Sequence, residues 1–193
     1  MKNLSLENLN TDVENLILTA NDSYIETYPE FIRYFKDIEL IENHHLVIAS
    51  HFVYGWMPTV LHLETDEIGE VILYLNAAKF GNLLDEERLE VIKRCVNNSM
   101  VGTSKLLHFI NPKIYAIWDS RIYRYLTGNK YSYGIDKPQA YLKYLSGLRD
   151  ISAHADYQNF HSKIQRNFEY EISPMRAIEL LMFETDRERS RKK

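Results

Sequence analysis

Two residues in the middle of the chain could carry chemistry together: Lys105 and Asp119, which are fourteen positions apart. Lys105 opens the apolar run "KLLHFI", and Asp119 precedes the stretch "SRIYRYL". The positive end of a helix dipole disfavours a protonated amine in the first turn, and apolar neighbours lower the pKa of such an amine further. The pair is therefore a candidate for a nucleophilic amine with a carboxylate partner.

Each of these residues also has a purely structural interpretation. A lysine can lay its carbon chain along apolar surface while its charge stays in water. Asp119 directly precedes a predicted helix, and aspartate is a preferred N-cap residue. The spacing alone therefore leaves two interpretations open, a catalytic pair and two residues that begin helices.

The stretch "VGTSKLLHFINPKIYAIWDSRIYRYL" and the residues before it predict the elements that position this pair. The helix "DEERLEVIKRCVNNS", a turn with one glycine and a second helix predict a helix-hairpin-helix within residues 85–110, with the hairpin at 97–104. Asn111-Pro112 is expected to end the second helix, and "KIYAIW" is expected to be extended until Asp119 begins the next helix. Such a hairpin directs backbone N–H groups outward, where a phosphate can bind.

Apolar residues recur with helical spacing along most of the remaining chain, and glycine and proline are scarce. The spacing predicts further helices in "TDVENLILTAN" with a cap at Thr11 or Asp12, in "YPEFIRYFKD", "IELIENHHLVIASHFVYGW", "DEIGEVILYLNAAKFG", "KPQAYLKYLSGL", "HADYQNFHSKIQRNF" and "SPMRAIELLMFETDRERS". Only "HLVIAS" and "KIYAIW" could form strands. We therefore expect one mostly α domain over residues 1–193, a two-lobed helical bundle with the hairpin near the lobe junction.

The composition excludes several classes of protein. The chain of 193 residues is 45% hydrophobic and 26% charged, as in ordinary globular proteins. No apolar run approaches the roughly 20 residues of a membrane span, and the N-terminus lacks the apolar segment of a signal peptide, so we expect a cytoplasmic protein without a membrane partner. Cys95 is the only cysteine, which excludes a disulfide framework and a cysteine-rich metal site. The histidine spacing and the absence of a glycine-rich nucleotide loop predict no metal and no cofactor.

Charge is distributed unevenly along the chain. Residues 1–100 carry seventeen acidic and seven basic residues, whereas residues 101–150 carry eight basic and three acidic residues. This separation predicts a basic face suited to phosphates, although two regions of opposite charge could equally attract each other. The cations that we expect on one face beside a cleft are Lys105, Lys113, Arg121, Arg124 and Lys130.

The combination of these features resembles the core of the helix-hairpin-helix DNA glycosylases, and is most similar to their compact bacterial branch related to 8-oxoguanine DNA glycosylase. In that family a glycine hairpin leads to a catalytic lysine, and an aspartate follows a short extended segment. Lys105 corresponds to the lysine because it follows "VGT" with one extra residue, and Asp119 corresponds to the aspartate at the end of "YAIWD". The resemblance covers residues 85–127, and the usual hairpin L-P-G-[VI]-G is replaced here by "NSMVG".

The resemblance implies a DNA-repair activity on double-stranded DNA. The target base would be flipped out of the duplex, because its glycosidic bond cannot be reached inside the stack. Lys105 would attack the sugar carbon and form a Schiff base that can lead to strand cleavage, which makes the chain both an N-glycosylase and a lyase. Asp119 would stabilise the charged sugar. The residues expected to contact DNA are Gly102, Thr103, Ser104, Lys113, Arg121 and Arg124, and those expected in the base pocket are Trp118, Phe109 and Trp56.

Two other functions are compatible with the same sequence. A catalytically silent module could keep this fold and bind nucleic acid or a protein partner. An unrelated helical protein, for instance a component of a defence system, could carry the lysine and the aspartate by coincidence. Reactivity of Lys105 would separate the first two hypotheses, and the absence of a basic face around the hairpin would distinguish the third. The most informative single observation is whether Lys105 and Asp119 share one concave pocket.

Overall fold

The computed structural model describes residues 4–16, 23–57 and 59–191, apart from the side chain of Ser23. This part of the chain is mostly helical, as predicted, and contains no strand longer than an isolated bridge. Its eleven helices are α1 (Leu6–Val13), α2 (Ser23–Glu26), α3 (Tyr28–Lys36), α4 (Asn43–Trp56), α5 (Ile68–Lys79), α6 (Glu86–Cys95), α7 (Met100–Ile110), α8 (Ser120–Thr127), α9 (Pro138–Ser152), α10 (Tyr157–Gln165) and α11 (Pro174–Arg191).

Side-chain caps determine where several of these helices begin. Ser5, Asp85 and Ser99 each accept a hydrogen bond from a first-turn backbone N–H of α1, α6 and α7, respectively. Such caps satisfy N–H groups that have no partner inside the helix. The cap of α1 is therefore Ser5 rather than Thr11 or Asp12. The helix ends at Val13, close to the position at which the predicted helix was expected to begin. Ile17 and Leu18, which belong to the expected helical stretch, lie outside the described residues.

Other boundaries also differ from the sequence prediction. The helix expected from "IELIENHHLVIAS" begins only at Asn43, because Glu42 and His45 form a reciprocal cap that starts α4 there. The possible strand "HLVIAS" is consequently part of α4. "KIYAIW" is extended from residue 115 to residue 118 but has no strand partner, and the described residues contain only one bridge, between Leu63 and Val96.

The turn between α6 and α7 lies earlier than predicted. It consists of residues 96–99, and its left-handed positions are taken by Asn97 and Asn98, with φ of 56° and 49°. Asparagine tolerates this region better than other residues with side chains, because its short amide can bond locally. Gly102, which we expected in the turn, lies inside α7, where a β-carbon would collide with the ring and hydroxyl of Tyr54. This glycine serves close packing rather than a turn.

The helices form two packing groups, one around α7 and one around α11, and α6 of the first group packs against α9 of the second. The central helix α7 packs against α3, α4, α5 and α6, whereas α11 packs against α1, α8, α9 and α10. The buried side chains of both groups belong to one continuous cluster that reaches from Leu9 to Met182. This arrangement corresponds to two lobes that share one core. Among the described helices, none combines the length and the apolar character that a membrane crossing requires.

Candidate active site

Lys105 and Asp119 line one cavity of about 520 Å³. Its walls come from α4, α7, the start of α8 and α11, so that both packing groups contribute. Trp56 and Phe183 supply aromatic surface to it, and the side chain of Tyr24 lies at its edge. The two residues that the sequence singled out are therefore brought together around a single concave space.

Lys105 is partly buried, and its Nζ lies 5.4 Å from the centre of the Trp56 ring. Within the described part of the chain the amine forms no ion pair, although Asp119 and Glu179 line the same cavity. Burial lowers the pKa of Lys105, and the charge of Arg176 lowers it further, while the two carboxylates act in the opposite direction. The result is an amine that loses its proton more readily than an exposed lysine.

The cause of this lowered pKa differs from the one expected. Lys105 is the sixth residue of α7, because the helix begins at Met100 rather than at Ser104. The dipole effect decays within the first turn of a helix, so it contributes little at this position. Burial in the cavity is the dominant cause.

Asp119 is the N-cap of α8, as predicted. Its Oδ1 accepts hydrogen bonds from the backbone N–H groups of Arg121 and Ile122, at 2.9 and 3.0 Å. The helix ends at Gly128, whose φ of 71° is a left-handed conformation that glycine adopts without strain. Asp119 is only 9% exposed, and its carboxylate has both a capping role and a place in the wall of the cavity.

The extended segment that delivers Asp119 is held by side chains instead of by neighbouring strands. From α7, the Ser104 hydroxyl accepts a bond from the Trp118 N–H at 3.0 Å, and His108 Nδ1 lies 2.8 Å from the Tyr115 carbonyl oxygen. From α9, the hydroxyl of Tyr141 donates to the Ala116 carbonyl at 2.9 Å, and that of Tyr144 donates to the Ile117 carbonyl at 3.1 Å. Successive backbone groups are thereby satisfied, as they must be in a buried segment.

Sequence reasoning missed the contribution of α11 to the cavity. Four of its side chains, Arg176, Glu179, Phe183 and Arg187, recur at intervals of three or four residues and line the cavity together. Residues at this spacing share one helical face. The signal was present in "SPMRAIELLMFETDR", where an arginine and a glutamate interrupt an otherwise apolar stripe. Such an interruption indicates buried charges that need partners.

The residues expected at the hairpin lie inside the protein. Gly102, Thr103 and Ser104 are buried; Thr103 and Ser104 have 0% exposure. Gly102 is covered by Tyr54, and Ser104 is engaged with the backbone of Trp118. Their side chains consequently face the core, and none of the three lines the cavity.

Of the three aromatic residues expected in a base pocket, only Trp56 lines the cavity. Its indole Nε1 is buried and has no hydrogen-bond partner among the described residues. Phe109 is fully buried against Trp56, Phe31 and Tyr28. Trp118 is 1% exposed, packs on Tyr144 and donates from Nε1 to the Ile135 carbonyl at 2.9 Å. The latter two are core residues.

The five cations expected on one face are distributed over different places. Lys105 and Arg121 line the cavity. Arg124 lies near Arg121, and both form ion pairs with Asp186, at 2.7 Å for Arg124 and 3.6 Å for Arg121. Lys113 lies beside a different groove, and Lys130 is exposed next to Tyr131 in the loop before α9. The expected basic face is therefore reduced to Lys105 at the cavity and the arginines at 121 and 124 of α8.

Three of the four backbone N–H groups of the turn at residues 96–99, those of Val96, Asn97 and Ser99, are bonded within the protein. Asn97 N–H donates to the His62 carbonyl at 3.1 Å, and Ser99 N–H donates to the Val96 carbonyl at 3.2 Å. At the N-terminus of α7, the Met100 N–H donates to Asp136 Oδ1 at 3.1 Å. A carboxylate of the chain thus lies where a phosphate would bind to this helix.

One group of side chains among the described residues has the composition of a metal site: Glu42, His44 and His45 at the start of α4. His45 Nδ1 accepts a bond from the Glu42 N–H at 3.0 Å, which engages that nitrogen in the helix cap. The group is largely exposed and lies outside the cavity. Its geometry is explained by capping, and we assign no metal to it.

Comparison with family models, with curated proteins and with solved structures finds no match for this chain.

Proposed function

We propose that this protein is a DNA glycosylase/lyase-like enzyme that removes a flipped, damaged or modified base through a Schiff base on Lys105. The observation that carries the proposal is that Lys105 and Asp119 line the same cavity, in an order along the chain similar to that of the helix-hairpin-helix glycosylases. The lowered pKa of the Lys105 amine supports its role as a nucleophile.

In the proposed reaction the free amine of Lys105 attacks C1′ of the deoxyribose. The C1′–N bond to the base breaks, and the base leaves with the bonding electron pair and takes up a proton. Loss of an amine proton and opening of the sugar ring give the Schiff base, from which elimination can cleave the strand. Asp119 stabilises the positive charge that develops on the sugar as the base departs.

The cavity walls are suited to a flipped nucleoside. The aromatic rings of Trp56 and Phe183 line the cavity and offer surface on which a base could stack. Arg121 lines the cavity beside Asp186, and we propose that its guanidinium contacts a phosphate. DNA contact is thus proposed at the cavity edge and α8, because the hairpin residues are buried.

The test is borohydride trapping on labelled duplexes that each contain one lesion: an oxidised purine, uracil, an alkylated base or an abasic site. We expect a covalent adduct with at least one of them, and Lys105→Ala should abolish it. Lys143→Ala, which removes an exposed lysine of α9, is the matched control and should retain the adduct.

Absence of an adduct on all four duplexes would contradict the lyase mechanism. Duplex binding without trapping, with an affinity that falls steeply as salt increases, would support the catalytically silent module instead. Absence of both would leave the fold without a nucleic-acid role.

A further inference from the structure

The wall that α11 contributes to the cavity contains an ion pair that packing does not explain. Arg176 and Glu179 are 5% and 2% exposed, and Arg176 Nη1 lies 2.7 and 2.6 Å from the two carboxylate oxygens of Glu179. A buried ion pair contributes little net stability, because removing both charges from water offsets their attraction. Titratable groups held at such a cost in the wall of a cavity are candidates for a functional role.

The pair is held from behind by residues of the core. The Arg176 guanidinium lies 4.6 Å from the centre of the Tyr28 ring. The Tyr28 hydroxyl and His108 Nε2 are 2.8 Å apart, and His108 Nδ1 is 2.8 Å from the Tyr115 carbonyl oxygen. Because a carbonyl only accepts, Nδ1 carries the proton and Nε2 accepts from Tyr28. Burial lowers the pKa of His108 to about 3, so this ring stays neutral.

Charges from several elements surround Glu179. Burial raises the pKa of its carboxyl to about 7, with Asp119 acting in the same direction and Arg176 and Lys105 in the opposite one. Lys105 is conversely affected by the charge of Glu179. The other titratable or charged groups that face this carboxyl or line the cavity are Tyr24, Tyr28, Tyr141, Tyr144, Arg121, Glu184 and Arg187.

We propose that Glu179 is the proton acceptor that converts the Lys105 ammonium into a free amine through one water of the cavity, with Arg176 as the residue that positions Glu179. The amine and the carboxylate line the same cavity but lie beyond ion-pair distance of each other, so the proton needs this relay. One N–H bond of the ammonium breaks and its electron pair stays on the nitrogen; the water takes up this proton and gives one of its own to the carboxylate, where one O–H bond forms. The summed charge of the two side chains is unchanged by this transfer. The role in catalysis rests on the proposed function, whereas the proton exchange is a property of the cavity itself.

The proton exchange can be measured without DNA. Reductive methylation with ¹³C-formaldehyde labels the lysines, Lys105→Ala assigns the Lys105 signal, and its chemical shift is followed against pH by NMR. The wild-type signal should titrate in two steps, one of them near pH 7 where Glu179 changes charge. Glu179→Gln should remove that step and lower the midpoint of Lys105 itself by about 1 pH unit, since an opposing charge has been lost.

Glu179→Asp keeps a carboxyl group and should keep the two-step curve. Glu67→Gln removes the carboxylate of a half-exposed surface ion pair with Arg94 and should leave the Lys105 curve as in the wild type. A merely structural role for Glu179 would not remove one titration step from a protein that stays folded. If Glu179→Gln does not fold, the wild-type curve still decides, because a single step there overturns the proposal.

The outcome is independent of the trapping experiment. An unaltered Lys105 curve in folded Glu179→Gln would overturn the proton exchange even if Lys105 traps DNA. A two-step curve together with failure of trapping would leave the exchange established and the glycosylase proposal rejected. If the Lys105 curve has two steps and Lys105 also traps DNA, the rate of adduct formation in Glu179→Gln should lose its dependence on pH near 7.

Discussion

At the turn of residues 96–99 and at Met100, the first residue of α7, the backbone N–H groups of Asn97, Ser99 and Met100 bond to acceptors of the protein itself. In the cavity, by contrast, the amine of Lys105 forms no ion pair within the described residues. The two regions are joined by the first two turns of α7. A phosphate at the turn would have to compete with Asp136, which already accepts the Met100 N–H. An electrophile in the cavity would meet an amine that is partly dehydrated and has a lowered pKa.

This difference indicates which region is built for structure and which for chemistry. Paired polar groups add rigidity, and they have less bonding capacity left for a ligand. Buried charges without a full set of partners destabilise the folded state, and such cost is typical of functional sites. The turn therefore positions α7, while the cavity holds the groups to which we assign the proposed chemistry.

Arg176→Met should have the largest effect on stability in the cavity. It leaves Glu179 buried without its cation, and breaking a buried pair in this way costs about 3–5 kcal/mol. Urea unfolding at pH 8 measures the change in the free energy of unfolding. The control is Arg94→Met, because Arg94 and Glu67 form an ion pair that is about half exposed and should contribute less than about 1 kcal/mol.

The loss in Arg176→Met should also depend on pH. The folded pKa of Glu179 is raised to about 7 from 4.5, so its stabilising contribution is complete below pH 4.5 and is lost as pH rises toward 7. Without Arg176 the folded pKa rises further, and the loss continues above pH 7. The variant should thus be less destabilised at pH 5 than at pH 8; equal losses at both would show that Glu179 does not titrate as a buried carboxyl.

Gly102→Ala tests the packing of α7 beside the turn. The added methyl group would collide with Tyr54, and overpacking of this kind costs about 1–3 kcal/mol. Gly69→Ala is the matched control, since Gly69 is a helical glycine with open space around its β-carbon position and alanine there should stabilise α5 by about 0.5–1 kcal/mol. A neutral Gly102→Ala would mean that Tyr54 moves aside easily.

Helical spacing and cap residues allowed much of the fold to be predicted. Asp119 was recognisable as an N-cap, because this role depends on local backbone geometry. The start of α7 was misplaced, since Gly102 was interpreted as a turn residue when its role is contact with Tyr54, 48 positions earlier in the chain. Contacts between distant residues leave no local pattern.

The candidate site was predicted only in part, because contacts between distant residues also determine which side chains line the cavity. Lys105 and Asp119 were found from their types and spacing, and the cavity contains both. Trp118 and Phe109 were expected in the pocket, but their rings pack into the core, because an apolar side chain gives no sign of which buried space it fills. Arg176 and Glu179 lie more than 50 residues further along the chain and approach Lys105 only in the folded protein.

Two substitutions at Asp119 separate its capping role from its charge. Asp119→Ala should cost about 1 kcal/mol through loss of the cap, whereas Asp119→Asn should change the free energy of unfolding only slightly, since the amide oxygen still accepts from α8. Under the proposed function Asp119→Asn should nevertheless slow adduct formation, because it carries no charge. An unchanged trapping rate in folded Asp119→Asn would restrict this residue to capping.

The smallest effects are expected in the turn itself. Asn97→Gly keeps the left-handed backbone but loses side-chain bonds to His62 N–H and to the Val60 carbonyl at 2.9 Å, and should cost about 1 kcal/mol. Asn98→Gly, at φ 49°, should stay within about 0.5 kcal/mol. Neither should alter the Lys105 titration curve, and a shift in either variant would show that the turn and the cavity are coupled.

The segment 115–118 is held by hydrogen bonds to its backbone. They come from Ser104 and His108 on one side and from Tyr141 and Tyr144 on the other. Backbone groups are the same for every residue type except proline. The amino-acid sequence of this segment can therefore change in evolution as long as its side chains still fit the space around them. The four residues that bind this backbone cannot be substituted as freely, because each must place a polar side-chain atom at hydrogen-bond distance from the segment. A distant homologue should therefore be recognisable by Ser-x-x-x-His on one helix and Tyr-x-x-Tyr on a later one, ahead of any similarity in the strand-like stretch between them.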